Sequence, residues 1–188
     1  EKLLKSDKLN TIMNERAILT KIKNPFIISL RYAFQTSKKY YMCLEYAPGG
    51  DLFHLMKKTK IPLPDIKLYI AELSFALNDL HINGILYRDV KPENVLLDQN
   101  GHLKLADFGI SRFLQRNQRT STFCGTAEYI APEIILKQEY GYEVDWWGIG
   151  ILTFELLYRS TPFHGMNQLY VYQSIIQRDP AFPRNEDP

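Results

Sequence analysis

The stretch that most constrains this chain is a short hairpin with acids at both ends. Val95-Leu96-Leu97-Asp98 starts apolar, Gln99-Asn100-Gly101 reads as a turn, and His102 to Ala106 resumes the apolar alternation. An Asn-Gly pair between two such runs predicts a hairpin, because tight hairpin turns need residues that tolerate positive φ. Before it stands Arg88-Asp89-Val90-Lys91-Pro92-Glu93-Asn94, and after it Asp107-Phe108-Gly109. Closing the hairpin gathers two acids and an Asn at its open end. Such oxygen ligands suit Mg²⁺, which binds through a few protein oxygens together with substrate phosphates. Lys91, two residues past Asp89, is placed to neutralise a transferring phosphoryl group.

Around the hairpin the chain divides in two. Ser6 to Leu19 reads as a helix, with Leu9, Ile12, Met13, Arg16, Ala17 and Leu19 near helical spacing and Asn24-Pro25 closing it. Phe26 to Phe34 and Tyr40 to Tyr46 read as strands around the polar turn Gln35-Thr36-Ser37-Lys38-Lys39. Pro48-Gly49-Gly50 breaks the chain. Beyond it, Ile66 to His81 sets Ile66, Tyr69, Ile70, Leu73, Leu77 and Leu80 on one helical face. Ala131-Pro132-Glu133 opens a short helix, and Trp146 to Leu157 is apolar nearly all round, which predicts a buried one. The expectation is an α+β chain with a small strand-containing part followed by a mainly helical part.

Composition narrows the function classes. A net charge of +2, with scattered Lys and Arg, predicts no nucleic-acid and no membrane partner. The longest apolar stretch, Trp146 to Tyr158, is interrupted by Glu155 and is too short to span a bilayer. Glu1 to Ser6 lacks the apolar core of a signal peptide, and both chain ends look cut. Two cysteines, Cys43 and Cys124, without framework spacing predict a reducing, intracellular and cytoplasmic setting. His54, His81, His102 and His164 show no metal-ligand spacing and read as structural or exposed.

The order Arg88-Asp89, then Asn94, then Asp107-Phe108-Gly109, then Ala131-Pro132-Glu133 resembles the protein-kinase signature. The resemblance covers essentially the whole chain. It implies a bilobal protein-kinase fold over residues 1–188, with a partial β-rich N-lobe and hinge at 1–47 and a mainly helical C-lobe at 48–188. It also implies ATP and Mg²⁺ as cofactors. By this resemblance Asp89 is the base for the substrate hydroxyl, Asn94 and Asp107 hold Mg²⁺, and Lys91 contacts the γ-phosphate. The implied nucleotide-binding set is Glu45, Ala47, Asp51, Glu93, Asn94, Leu96 and Asp107. Within it Glu45-Tyr46-Ala47 form the hinge and Leu96 floors the adenine pocket, with Leu44 as gatekeeper. Leu19, Leu30, Tyr87 and Phe108 match the apolar stack that couples the lobes. Asp145 is implied as anchor of the catalytic-loop backbone, Glu15 as partner of the ATP-gripping Lys, and Glu133 as partner of a late Arg. Taken singly, Asp89 would be a solvated carboxylate, Glu15 a helix charge and the apolar positions plain core.

Lys91 follows Asp89 as it does in Ser/Thr kinases, where tyrosine kinases place Ala-Ala-Arg or Arg-Ala-Ala. Thr122 to Glu133 resembles the activation and docking segment of the AGC group, which includes the Akt, ribosomal-protein and cyclic-nucleotide-dependent kinases. Tyr87 in place of the usual His is also an AGC habit, and Tyr32-Ala33-Phe34-Gln35-Thr36 resembles the Akt and ribosomal-protein kinase branch. Thr122 then matches the activation-loop phosphosite, with Arg88 and Arg112 as cationic partners and an upstream activating kinase implied. Thr120 and Ser121 compete as acceptors. Thr126 matches the residue that bonds the catalytic Asp. Asp51, Glu93 and Glu155 match positions that bind arginines ahead of the phosphoacceptor, which implies protein substrates with basic motifs. Cys124 reads as a small, partly buried hydrophobe before it reads as a redox centre.

The pattern departs from the family upstream. No Gly-x-Gly-x-x-Gly precedes Glu15, and neither Lys2 nor Lys5 follows a Val-Ala-x strand. Two readings stand: a protein Ser/Thr kinase, or a truncated, kinase-derived interaction module without phosphotransfer. Intact Asp89, Lys91, Asn94 and Asp107 favour the kinase.

Overall fold

A computed structural model describes residues 2–183, with side chains from Lys8 onward. The terminal residues read above as cut ends, Glu1 and Asn185 to Pro188, lie outside the described residues. The first helix, α1 (Lys2–Lys21), is longer than the apolar spacing predicts at both ends. It docks through Ile18 and Leu19, which are buried, while Leu9 and Met13 stay exposed. Asn24 then turns the chain, its side-chain oxygen accepting from Phe26 N at 2.8 Å.

The strand expected over Phe26 to Phe34 is corrected. Strand β1 is Leu30–Gln35, and residues 26–28 belong elsewhere. Leu105 N donates to Phe26 O at 2.8 Å and Ile28 N donates to Leu105 O at 3.0 Å, making a short parallel bridge to the hairpin. Ile27 and Ile28 are 2% exposed, so burial in the main core outweighs continuation of the strand. Strand β2 (Tyr40–Leu44) pairs antiparallel with β1 from Leu30↔Leu44 to Gln35↔Tyr40. It ends before the predicted Tyr46, because Glu45 leaves the sheet: its N–H donates to Ser29 O and its carboxylate pairs with Lys104 at 2.9 Å.

Pro48-Gly49-Gly50 does more than break the chain. Gly50–Asp51 forms β3, and Asp51 caps α2 (Leu52–Lys58). A Cβ at Gly49 would lie 2.7 Å from Leu97 Cβ, and Gly50 has φ +73, so both positions need glycine. Next come α3 (Leu63–Ile82) and β4 (Ile85–Leu86), then a 3₁₀ turn at Pro92–Asn94. The predicted hairpin is present as β5 (Val95–Leu97) and β6 (Leu103–Leu105), in register from Val95↔Leu105 to Leu97↔Leu103. Asp98 stiffens its turn by accepting from Asn100 N and His102 N. The chain finishes with β7 (Arg112–Phe113), a 3₁₀ turn at Ala127–Tyr129, α4 (Pro132–Ile135), α5 (Glu143–Tyr158) and α6 (Gln168–Gln177). Among the described residues this gives three small antiparallel sheets: β1-β2, β3-β5-β6 and β4-β7.

Two apolar clusters hold these elements. One joins Leu19, Leu77, Leu80, Leu105 and Phe108 among others; the second joins Leu86, Ile134, Tyr140, Phe163 and Ile175. Helix α5 gives Ile149, Leu152 and Leu156 to the first cluster and Val144 and Ile151 to the second. That double service explains why its sequence is apolar all round. No helix of the described residues is long and apolar enough to cross a membrane.

Candidate active site

Asp145, 1% exposed, carries the loop that follows β4. One of its oxygens accepts from Tyr87 N at 2.9 Å and bonds His81 Nε2 at 2.7 Å; the other accepts from Arg88 N at 2.7 Å. One turn along α5, a Cβ at Gly148 would lie 2.8 Å from Val90 Cβ, so the loop rests directly on the helix backbone. Arg88 is held in the left-handed region at φ 74, a strain that these bonds sustain. Tyr87 is fully buried, edge-on to Phe108 at 5.4 Å, and donates to Ala106 O at 2.5 Å. Burial and the nearby acids Asp89 and Asp107 push its phenol well up, so it remains a neutral donor.

Asp89 lies at the centre of a bonded cluster. Its carboxylate meets Lys91 Nζ at 2.8 Å, accepts from Asn94 Nδ2 at 2.8 Å and accepts from Thr126 Oγ1 at 3.0 Å. Lys91 Nζ also donates to Thr126 Oγ1 at 3.1 Å. Asn94 Nδ2 donates a second time, to Asp89 O, which leaves the amide oxygen as its ligand atom. Ala106 N donates to Asn94 O at 2.8 Å, so the hairpin register sets Asp107 one residue beyond Asn94's partner. Asp107 has φ 53, and its Oδ1 accepts from Gly109 N. Among the described residues no three His, Cys, Asp or Glu form a metal cage. Asn94 and Asp107 offer oxygen only, a donor set that fits Mg²⁺ when phosphates complete the shell.

Glu15 faces this acid end. Burial and the Asp107 charge raise its carboxyl pKa, and the Phe108 N–H opposes them in part. Beside it Asn14 Nδ2 donates to Ser111 O at 2.8 Å, and Ser111 Oγ donates to Tyr87 O at 3.1 Å. Sequence reasoning missed both residues, because neither bond has a periodic signal. Leu19, Tyr87 and Phe108 lie in the first apolar cluster, with Leu30 packed against it.

The segment from Arg112 to Cys124 has its own hub. Arg112 Nη1 donates to Thr120 Oγ1 at 3.0 Å and to Thr122 Oγ1 at 3.2 Å. Arg88 reaches Thr122 only through Tyr140: its Nη1 meets Tyr140 Oη at 3.4 Å, and Tyr140 donates to Thr122 O at 2.5 Å. The rest of the Arg88 fork donates to Ile110 O. Thr120 is buried and bridges to the Tyr140 backbone, whereas Ser121 and Thr122 are exposed. Burial and contact with Cys124 outweigh the Arg88 bond and push the Tyr140 phenol up to about 12. Cys124 is half-buried with its sulfur 3.7 Å from that phenol.

The three predicted substrate acids separate. Glu93 and Glu155 line one cavity of about 360 Å³, together with Glu128, Tyr129, Phe53 and His164. Burial raises the Glu155 pKa; the Tyr129 hydroxyl opposes this by donating to it, and the charges of Glu93 and Glu128 add to the rise. Sequence reasoning missed Glu128, an acid two residues past Thr126. Asp51 lies outside that lining, in register with Leu96, and its carboxylate is held by His54. Glu45, expected at the hinge, spends its carboxylate on Lys104 and Ser29 N, so only its backbone is left for the role expected of it. Glu133 makes no ion pair among the described residues.

The protein kinase domain family matches residues 1–186. Protein kinase 2 of Dictyostelium discoideum is 44% identical over 176 residues, covering 93% of this chain and 37% of its own length. Ribosomal protein S6 kinase alpha-1 of Homo sapiens is 43% identical over 180 residues, covering 95% of this chain and 24% of its own. Ribosomal protein S6 kinase alpha-2 of Homo sapiens is 44% identical over 172 residues, covering 90% and 24%. The chain thus spans between 24% and 37% of the length of these relatives. With the Asp89 cluster, the Asp145 anchor and these matches together, the chain belongs to the protein kinase domain family, alongside the ribosomal S6 kinases of the AGC group.

Proposed function

We propose that this chain supplies catalytic machinery of a Ser/Thr protein kinase that transfers the γ-phosphate of ATP to protein hydroxyls preceded by basic residues. The observation that carries this reading is the single bonded cluster of Asp89, Lys91, Asn94 and Thr126. Asp89 orients the incoming hydroxyl and takes its proton as the oxygen bonds to phosphorus. Lys91 offsets charge on the transferring group, and Thr126 fixes the Asp89 rotamer. Asn94 and Asp107 would hold Mg²⁺, which supplies the positive charge that draws electrons toward the departing ADP.

The cavity of Glu93, Glu128 and Glu155 supports a preference for arginine ahead of the acceptor, since a guanidinium would meet carboxylates that carry no ion pair among the described residues. A phosphate on exposed Thr122 would bring close to two negative charges to Arg112, which already bonds that hydroxyl. Cys43 and Cys124 are free thiols, which fits a reducing intracellular compartment.

The test is phosphate transfer from MgATP to a Ser peptide with arginines before the acceptor, using the complete polypeptide as the cell makes it. The expected result is transfer that falls by roughly 10²–10⁴-fold in Asp89→Asn. Absence of transfer, or equal transfer by Asp89→Asn, overturns the reading and leaves the non-catalytic interaction module.

A further inference from the structure

Asp51 and the Glu93–Glu155 cavity differ in one respect that bears on specificity. Both oxygens of Asp51 are already engaged, and by one residue. Oδ1 accepts from His54 N at 2.8 Å, and His54 Nδ1 lies 2.8 Å from Oδ1 and 2.9 Å from Oδ2. A carboxylate is only an acceptor, so Nδ1 carries the proton and donates to both oxygens. Burial raises the Asp51 pKa, but the His54 backbone and imidazole bonds outweigh it and leave the carboxyl below its ordinary range.

An arginine bound end-on needs the same two oxygens for its parallel N–H pair. His54 occupies that fork. By contrast, Glu93 and Glu155 meet no cation among the described residues, and their cavity stands open. The His54 side chain is 67% exposed and that of Asp51 24%, so a competing guanidinium can reach the pair from solvent.

Resting on the substrate reading above, we propose that His54 is a specificity-determining residue. It withholds Asp51 from substrate arginine and leaves arginine selection to the Glu93–Glu155 cavity.

A double-mutant cycle tests this, read as peptide affinity by NMR titration with the complete polypeptide, so that turnover is not required. The ligand is a Ser peptide with arginines before the acceptor, and each arginine is replaced in turn by citrulline, which keeps shape and loses charge. Asn at position 51 still caps α2, and Ala at exposed position 54 suits a helix, so both variants keep the local fold. The expected result is that Asp51→Asn alone changes affinity by less than about twofold. His54→Ala should tighten binding by roughly three- to fivefold, the range of an exposed ion pair. Asp51→Asn in the His54→Ala background, or citrulline at the matching peptide position, should remove that gain.

Equal effects of Asp51→Asn with and without His54, or no change in His54→Ala, overturn the role of His54. Glu93→Gln and Glu155→Gln separate the two readings. If they weaken binding while the cycle is additive, only the His54 proposal fails. If no substitution and no citrulline matters, the basic-peptide reading fails and His54 with it.

Discussion

Two antiparallel strand pairs of this molecule form similar ladders and sit in opposite surroundings. In β1–β2 most residues face solvent, with Tyr32 73% and Phe34 55% exposed. In β5–β6 every residue but Leu96 is buried, and the ladder is flanked by β3, α3 and the Phe26–Ile28 segment. Even Lys104 is buried there, against Glu45 at 2.9 Å. Hydrogen-bonded pairing is therefore common to both, and burial distinguishes them. The hairpin flanked by Asn94 and Asp107 is part of the core, while β1–β2 is a lightly covered surface ladder.

The largest effect expected from this contrast is at the loop's anchor. Asp145→Ala leaves the buried N–H groups of Tyr87 and Arg88 without their acceptor. Stability should fall by about 3–5 kcal/mol, measured as the urea midpoint; a loss under about 1 kcal/mol breaks the account. Next comes a matched pair of truncations. Leu103→Ala, at a fully buried site in β6, should cost about 2–5 kcal/mol. Phe34→Ala in β1, which loses chiefly its stacking on Tyr41 at 4.9 Å, should cost about 1 kcal/mol. Equal costs would erase the distinction between the two ladders.

Smaller effects follow from titration. Glu15 has a raised carboxyl pKa in the folded chain, from burial first and the Asp107 charge second. The folded state then holds the proton longer than the unfolded state, so stability falls as pH rises from the ordinary carboxylate range through the raised value. Glu15→Gln should therefore melt roughly 1–3 °C higher than the parent at pH 7, with the difference closing below about pH 4. A lower melting point at pH 7 would show that an unrecognised cation already serves Glu15. The smallest effect concerns His102, whose pKa is raised by its bond to Glu72. Its contribution is complete below the ordinary His value and is lost as pH rises through the raised one. His102→Gln should flatten that part of the stability profile, and an unchanged profile would remove the pair from it.

Much of the large part was legible in the sequence. Apolar spacing found α3 and α5, and the Asn-Gly turn with its flanking acids found the hairpin and the Asp89–Asn94–Asp107 constellation. What stayed hidden depends on contacts distant in sequence. Phe26 to Ile28 looked like the start of a strand and instead forms an isolated parallel bridge to Leu105, 77–79 residues on. Helix α2 has seven residues, too few for a 3.6-residue period to declare itself. The Asp51–His54 pair and the Tyr140 hub arise from cap geometry and from a buried ring, which no composition or spacing rule reports.

Hydrogen exchange measured segment by segment tests the central claim most directly, that the β5–β6 hairpin and the loop before it are core while the β1–β2 ladder is surface. The account predicts that amides from Tyr87 to Leu105, the exposed turn at Gln99 to His102 aside, exchange only through near-global unfolding, and that those from Leu30 to Leu44 exchange at least about 100-fold faster through local opening. Equal protection of the two segments, or faster exchange in Tyr87 to Leu105, would contradict it.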